Sequence, residues 1–127
     1  MKIVEIRLQV TSVEEAKEFY CNELGLFSFY RDYGMETISL TYNKNNSIRL
    51  LIVQGNLSNM DYPLFNIEVD SCDNVFKILQ DVKFKTNGKL ISDEVFEYPL
   101  EKNILVQDPS KNKFLIVEFN NPNNMGF

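Results

Sequence analysis

Hydrophobic and polar residues alternate over residues 3–10, and the same alternation returns over residues 62–70. A period of two places the two sets on opposite faces of a β-strand, so both segments are predicted strands. After the first strand, Ser12 and Glu15 have the spacing of a helix capping box, and apolar residues follow at helical spacing as far as Gly25. A second short helix is predicted after the second strand. The chain therefore starts the same pattern twice, which favours an internally repeated fold.

Each predicted helix is followed by segments with the character of strands and by no further helix. In the first copy the strands are predicted at about 27–32, 35–42 and 47–54, with turns at 32–34 and 43–46. In the second copy a strand at 63–70 and a helix at about 72–81 precede strands near 91–97, 102–107 and 113–119. Each copy is therefore predicted to be a βαβββ module.

Four strands and one helix cover one face of a sheet and leave the other face bare. We predict an α+β fold in which two curled sheets make a bowl-like open barrel of mixed sheet, with the helices outside. The single domain would comprise module 1 at about 1–54, a linker at 55–61, module 2 at about 62–119 and a tail at 120–127. A ferredoxin-like β-α-β-β repeat is the alternative if one strand per copy is a loop.

Composition and charge argue against some classes of function. The net charge of −5 and the pI near 4.7 argue against nucleic-acid binding, because no basic stripe is present to neutralise phosphates. No apolar run approaches the roughly 20 residues that span a bilayer, and the acidic residue near the start does not fit a signal peptide. We therefore expect a cytoplasmic protein, in which Cys21 and Cys72 remain unbridged thiols.

Two groups of residues resemble motifs of a known superfamily. The first helix carries Ala16, then Phe19-Tyr20, then Leu24-Gly25-Leu26, and the last strand follows a turn, Asp108-Pro109-Ser110-Lys111-Asn112. Together with the repeat, they make the chain resemble the vicinal oxygen chelate superfamily, which includes glyoxalase I, bleomycin-resistance proteins and extradiol dioxygenases. The resemblance covers nearly the whole chain and implies the bowl-like fold, although fold alone does not imply function.

Metal-dependent members of this superfamily carry ligands on the first and last strand of each module. The resemblance places these positions at Glu5, Arg49, Leu64 and Leu115. Two of the four are apolar, one is a permanent cation, and the chain contains no histidine. An all-oxygen site would need Glu68 and Asp70 to join Glu5, with Arg49 opposing the cation. We therefore predict no metal and no cofactor.

Glu5 is the single acid–base candidate with positional support, because without histidine the chain has no ordinary proton shuttle at neutral pH. Glu5 and Arg49 are expected to lie side by side. They either form a plain salt bridge, or bind one ligand together, with Arg49 on an anionic group and Glu5 on a cationic or donor group. Several aromatic residues are expected to border the bowl: Phe27, Phe29, Tyr30, Tyr33, Tyr42, Phe96 and Tyr98. The predicted ligand-binding residues are Glu5, Arg7, Arg49, Leu64, Asn66, Glu68 and Leu115.

The function predicted from these observations is metal-independent binding or sequestration of a small molecule in the concave cleft, as in bleomycin-resistance proteins. The alternative is a metal-dependent lyase or dioxygenase whose divergent site includes Glu5. A third possibility, a regulatory or partner-binding module, is supported by no motif in the sequence. The resemblance also implies a homodimer, and neither a nucleic acid nor a membrane is expected as a partner.

Overall fold

The computed structural model describes residues 5–55, 62–99 and 101–119. These residues form two compact units, and the first unit includes two short segments from the second half of the chain, 83–88 and 108–111. The second unit holds the rest of that half. Each unit contains one mixed sheet and a helical segment, so the predicted α+β class is confirmed. In the described part of the chain, no helix is long and apolar enough to cross a membrane.

The first unit is built on a four-stranded sheet, sheet A, with a helix packed on one face. Its elements are β1 (Glu5–Val10), α1 (Val13–Lys17), a π-helical turn (Glu18–Glu23), β2 (Phe27–Gly34), β3 (Thr37–Tyr42) and β4 (Asn45–Gln54). The strand order is β1-β4-β3-β2, and β1 runs parallel to β4. Leu8, Leu40 and Ile52 are fully buried on the face that packs against α1, as the alternating pattern predicts.

The first helix begins and ends where the sequence predicts. The Ser12 side chain accepts a hydrogen bond from the Glu15 backbone N–H at 3.2 Å, which caps the N-terminus. Gly25 follows the last turn with a φ of 74°, the left-handed conformation that a side chain would disfavour. The second half of the helix is wider than an α-helix, a form that hydrophobic spacing alone does not reveal.

The hairpin between β2 and β3 turns later than predicted. Met35 and Glu36 form its two-residue turn with φ values of 53° and 54°, and Gly34 pairs with Thr37 inside the strands. Two positive φ values are the mark of a type I′ turn, which usually carries Asn-Gly. The predicted turn at 32–34 is therefore wrong, because the Met-Glu pair gives no turn signal and Gly34 gives a misleading one.

The second unit is built on a five-stranded sheet, sheet B. Its elements are β5 (Pro63–Glu68), α2 (Cys72–Asp81), β6 (Lys89–Leu90), β7 (Phe96–Glu97), β8 (Glu101–Gln107) and β9 (Lys113–Phe119). The order is β5-β9-β8-β6, with β7 also pairing with β8, and β5 runs parallel to β9. The helix matches the predicted range of 72–81, and β8 and β9 match to within one residue.

The predicted continuous strand at 91–97 is wrong, because the chain leaves sheet B in the middle of this segment. The Ser92 hydroxyl accepts a hydrogen bond from the Leu105 backbone N–H at 2.8 Å and so replaces a strand carbonyl. Asp93 and Glu94 then bend away, and pairing resumes where Phe96 faces Asn103. What would be one strand becomes the two short strands β6 and β7 with an irregular segment between them.

Two loops from the second half of the sequence complete the first unit. The carboxylate of Glu23, which is 7% exposed, accepts hydrogen bonds from the backbone N–H groups of Lys85 and Thr86. The hydroxyl of Tyr20 donates to Asp108 at 2.8 Å in a fully buried contact. These links reach across more than sixty residues, and sequence periodicity does not report contacts of that kind. The predicted tail at 120–127 and residues 56–61 of the predicted linker lie outside the described residues.

Lys111 gives a prediction about stability. It occupies a turn with a φ of 71°, at the position where the superfamily turn usually has glycine. Because a side chain disfavours this conformation, Lys111→Gly is expected to raise the free energy of unfolding by about 1 kcal/mol. Urea unfolding measures the change. The same substitution at Lys77, inside α2, is the control and should lower stability by about 1 kcal/mol; a Lys111→Gly variant no more stable than wild type would contradict the strained turn.

Candidate functional site

The face of sheet A that lies away from α1 is polar. The pairing places Glu5 beside Arg49, and Arg49 beside Thr41 of the next strand. One row further along, Arg7, Leu51, Ser39 and Arg31 stand side by side across all four strands. This face confirms the two-residue period of β1, because Glu5, Arg7 and Gln9 are on the polar side while Leu8 and Val10 are in the core.

Two bulges in β2 bring further side chains to this face. The pairing with β3 skips a residue at Tyr30 and again at Tyr33, so Arg31 faces the polar side together with Tyr30. The Tyr33 hydroxyl lies 3.1 Å from the Ser39 hydroxyl on the same side. We call this surface the arginine face, and define it by Arg7, Arg31 and Arg49 with Tyr30 and Tyr33.

Arg49 stacks on a tyrosine instead of pairing with Glu5. Its guanidinium carbon lies 4.2 Å from the centre of the Tyr30 ring, a cation–π geometry. Among the described residues, Glu5 and Arg49 form no ion pair although they are neighbours in the register. The buried Nε of Arg49 has no hydrogen-bond partner in that part of the chain. The salt bridge expected from the sequence is therefore not formed.

In sheet B the strand pairing shifts one of the predicted positions. The neighbour of Leu115 on β5 is Asn66 and not Leu64, because the register between Pro63 and Asn66 contains a bulge. The pair equivalent to Glu5 and Arg49 is therefore Asn66 and Leu115. Glu68 is two residues beyond Asn66 on the same face and is exposed.

The donors at these four positions do not fit a divalent metal. Sheet A supplies one carboxylate and one guanidinium, and sheet B supplies one amide and one leucine. A guanidinium cannot ligate and a leucine has no donor atom, whereas Mg²⁺ and Mn²⁺ need several oxygen ligands. No group of three or more His, Cys, Asp or Glu side chains suited to a metal occurs among residues 5–55, 62–99 and 101–119.

A cleft of about 430 Å³ lies entirely within the second unit. Its floor is the face of sheet B away from α2, where Asn103, Leu105 and Leu115 stand side by side. Its walls come from the irregular segment and its flanks: Pro63, Ile91, Ser92, Asp93, Glu94, Phe96 and Tyr98. The volume falls in the range of small-molecule sites, and the lining is mostly apolar with a few polar groups.

Charge and polarity in this cleft are uneven. Among the described residues that line it, Asp93 and Glu94 are charged and none is a lysine or an arginine. Asn103 is only 8% exposed, and its side chain makes no hydrogen bond to another residue within the described ranges. Its amide is not one of the buried polar atoms without a partner in the described residues, which are Arg49 Nε and Glu101 Oε2, so it meets solvent in the cleft and can contact a ligand there.

The residues predicted from the sequence divide between these two surfaces. Glu5, Arg7 and Arg49 lie on the polar face of sheet A, and Leu115 lies in the floor of the cleft. Leu64, Asn66 and Glu68 lie on β5 and do not line the cleft.

Among the aromatic residues, Phe96 and Tyr98 line the cleft, and Tyr30 and Tyr33 belong to the arginine face. Phe27 is instead buried in the core. Asp93, Glu94 and Asn103 were missed because they were assigned to regular strands. The Ser92-Asp93 pair, two turn-forming residues inside an apolar run, is the signal that could have revealed them.

Both cysteines are free thiols, as predicted. Burial raises the pKa of the Cys21 thiol, and burial with the carboxylates of Glu118 and Asp73 raises the pKa of Cys72 to about 11. The Cys72 thiol donates to the carbonyl of Ile116 at 3.2 Å. High pKa values keep the reactive thiolate scarce at neutral pH, so neither cysteine has the character of a nucleophile.

The raised pKa of Cys72 predicts a loss of stability in alkali. In the unfolded chain this thiol ionises near its ordinary value of 9.0, whereas in the folded protein it ionises at about 11. Its contribution is complete below about pH 9 and is lost as the pH rises toward 11. We expect urea midpoints to fall between about pH 8 and about pH 10.5, and Cys72→Ala to reduce that fall. An equal fall in the variant would contradict the assignment.

Solved structures show what this chain is similar to. It matches TnmS3, an antibiotic binding protein from Streptomyces sp. CB03234, at 17% identity and a TM-score of 0.75, over 94% of this chain and 96% of that one. It matches a glyoxalase/bleomycin resistance protein/dioxygenase from Alicyclobacillus acidocaldarius at 19% identity and 0.68, over 98% and 96%. A lactoylglutathione lyase from Agrobacterium tumefaciens matches at 14% identity and 0.70, over 99% and 97%.

No known protein-family profile matches the chain, and no curated protein matches it. At identities below one fifth the likeness is one of fold, and it extends over nearly the full length of each chain. Two modules that open with a strand and a helix, and that pair their first and last strands in parallel, agree with it. The chain therefore has the fold of the glyoxalase, bleomycin-resistance and dioxygenase proteins, which is the vicinal oxygen chelate fold predicted from its sequence.

Proposed function

We propose that this protein binds a small organic molecule in the cleft of sheet B and that it does so without a metal. The observation that carries the proposal is the cleft itself, which has two leucines and the amide of Asn103 in its floor and two aromatic rings in its walls. A cleft of this size can hold a small molecule between the rings, and its few polar groups can orient it. The donor set at the superfamily's metal positions supports a function that needs no metal.

The lining favours a flat ligand that carries a positive charge. Phe96 and Tyr98 offer ring faces for stacking, and the carboxylates of Asp93 and Glu94 attract a cation at the rim. Asn103 has both a donor and an acceptor to fix the ligand's orientation. One structural neighbour, TnmS3, is named as an antibiotic binding protein, which agrees with a binding role for this fold.

A dye-binding experiment tests the proposal. Thioflavin T is a flat aromatic cation, and we expect its fluorescence to rise and saturate with one dye per chain. An anionic aromatic dye, 8-anilinonaphthalene-1-sulfonate, should not compete for this site, because the described residues of the lining include two carboxylates and no cation. Native mass spectrometry of freshly purified protein reports any molecule or metal ion that co-purifies. A stoichiometric divalent ion, or no saturable binding of thioflavin T, would overturn the proposal.

Asn103→Leu is expected to separate binding from stability. The two side chains are similar in size, so the change removes the amide that faces the cleft without opening a cavity. We expect the free energy of unfolding to change by less than about 0.5 kcal/mol and the affinity for thioflavin T to fall about tenfold. Isothermal titration and urea unfolding measure the two effects. Asn66→Leu, outside the cleft lining, is the control; a loss of affinity there and not at Asn103 would place the ligand against β5 instead.

We also propose that the protein works as a homodimer in the cytoplasm. The exposed side chains of Tyr62 and Leu64, which lie outside the cleft lining, leave apolar surface on the second unit that a second copy would cover. Light scattering coupled to size exclusion measures the mass, and we expect twice the chain mass of 14.8 kDa. A monomer at all concentrations would contradict this assembly.

A further inference from the structure

The arginine face of sheet A concentrates positive charge in an acidic protein. The chain carries a net charge of −5, yet this face presents three arginines and one carboxylate, Glu5, for a local charge of +2. None of the three arginines pairs with a carboxylate within the described parts of the chain. Asp32 is paired with Ile38 of the core side, and its carboxylate accepts from the Gly34 N–H. Among the described residues, these arginines therefore have no ion-pair partner.

We propose that the arginine face binds a small planar organic anion, of the class of aromatic carboxylates. It shares no residue with the cleft of sheet B, so the proposal goes beyond the function proposed above. Three features support it: the fixed plane of Arg49, the apolar floor between the arginines, and the tyrosine rings that the bulges of β2 bring to the surface.

The first feature concerns the orientation of Arg49. Stacking on Tyr30 at 4.2 Å holds one face of the guanidinium and leaves its edge free to donate. The Nε atom at that edge is buried and has no hydrogen-bond partner among the described residues. An unpaired buried donor is costly. A carboxylate oxygen would satisfy it, and the second oxygen would reach the adjacent N–H in the usual bidentate fork.

The second feature is the floor of the face. Arg7 and Arg31 lie on the two outer strands of a row of four. Their Cα atoms are about 14 Å apart by the usual strand spacing. Leu51 and Ser39 occupy the middle of that row and are buried. Because Leu51 and Ser39 carry no charge and are covered by neighbours such as Tyr33, a ligand ring would lie on that cover, with its negative charge toward either arginine.

The third feature is the aromatic border. The Arg31 guanidinium carbon lies 5.5 Å from the Tyr30 ring centre and 6.0 Å from that of Tyr33. The Tyr33 hydroxyl is held at 3.1 Å from Ser39, which keeps its ring over the face. Rings and guanidinium groups that alternate in this way stack on flat molecules. A flat anion therefore fits better than a tetrahedral one.

The test follows the arginine side chains by NMR during titration with sodium benzoate. We expect the Nε–H resonance of Arg49 to shift and saturate. Arg49→Lys keeps the charge but removes the planar fork, so it should weaken benzoate binding at least tenfold. Arg31→Gln, at an exposed position, should weaken it in the same direction without affecting folding. Lys77→Gln removes the same charge from the exposed face of α2 and should leave binding unchanged.

Several outcomes would overturn the proposal. Benzoate that moves no arginine resonance, or an equal loss of binding in Lys77→Gln, would mean that Arg49 and Tyr30 only stabilise the sheet. Inorganic phosphate that binds as tightly as benzoate would show attraction by charge alone. Benzylamine, a flat cation, should not shift the Arg49 resonance. Asn103→Leu should keep benzoate binding, and Arg49→Lys should keep thioflavin T binding, so the two sites can fail independently.

Discussion

Gly88→Ala is expected to lower the free energy of unfolding by about 3 kcal/mol, because overpacking a rigid core forces side chains off their preferred positions. A Cβ atom at this position would lie 2.2 Å from Cδ1 and 2.3 Å from Cε1 of the Phe19 ring. That ring is fully buried and packs edge-on against Tyr20 at 5.0 Å and face-on against Phe84 at 6.1 Å. Neither the ring nor the backbone has space to retreat.

Gly55→Ala is the matched control for this prediction. There the nearest atom to a new Cβ is the flexible end of Gln9, at an ordinary 3.5 Å, so we expect almost no change. Urea unfolding followed by circular dichroism measures both variants. Phe19→Leu introduced into Gly88→Ala should restore part of the loss by making room. Equal stability of Gly88→Ala and Gly55→Ala would mean that residues 83–88 do not pack on Phe19 in solution.

Tyr20→Phe is expected to lower the free energy of unfolding by about 2 to 3 kcal/mol, the usual value of a buried hydrogen bond to a charged group. The Tyr20 hydroxyl donates to the Asp108 carboxylate at 2.8 Å, and neither residue is exposed to solvent. Burial and the Asp108 carboxylate together raise the pKa of Tyr20 well above its ordinary value. The phenol therefore stays protonated and remains a donor throughout the neutral range.

A double-mutant cycle isolates this contact. Asp108→Ala also removes the acceptor of the Ser110 N–H at 2.8 Å, so it should cost more than Tyr20→Phe, about 3 to 5 kcal/mol. The double variant should cost less than the sum, with a coupling of about 1 to 3 kcal/mol. Tyr42→Phe, at a partly exposed position on β3, shows the cost of a phenol outside this contact. Strict additivity of Tyr20 and Asp108 would contradict a direct bond between them.

Local patterns predicted much of this fold because local physics determines it. Val4-to-Val10 alternation placed Glu5 and Arg7 on the polar face, Ser12 marked the start of the first helix, and Gly25 marked its end. Each of these depends on residues within a few positions of one another. The resemblance to the vicinal oxygen chelate proteins rested on the same local motifs, and the structural neighbours confirm the fold.

The candidate sites were harder to predict, because they depend on irregularities and long-range packing. Leu115, Phe96 and Tyr98 were the residues of the cleft lining expected from the sequence. Asp93 and Glu94 were not, because their loop arises where the Ser92 side chain takes a strand hydrogen bond. Likewise, a bulge pairs Leu115 with Asn66 instead of Leu64. Alternation of hydrophobic and polar residues does not show where a residue drops out of the hydrogen-bonded strand pairing, so these shifts appear only in the structure.

The hydrogen bonds of Glu23 and Tyr20 to the second half of the chain have a consequence for biosynthesis. The covering of the first core includes residues 83–88 and 108–111, so a ribosome must have released nearly the entire polypeptide before that core can close. A nascent chain ending near residue 55 would leave the Phe19 and Tyr20 side chains partly uncovered. The first module synthesised alone would lack both segments, so its core would stay partly open to water.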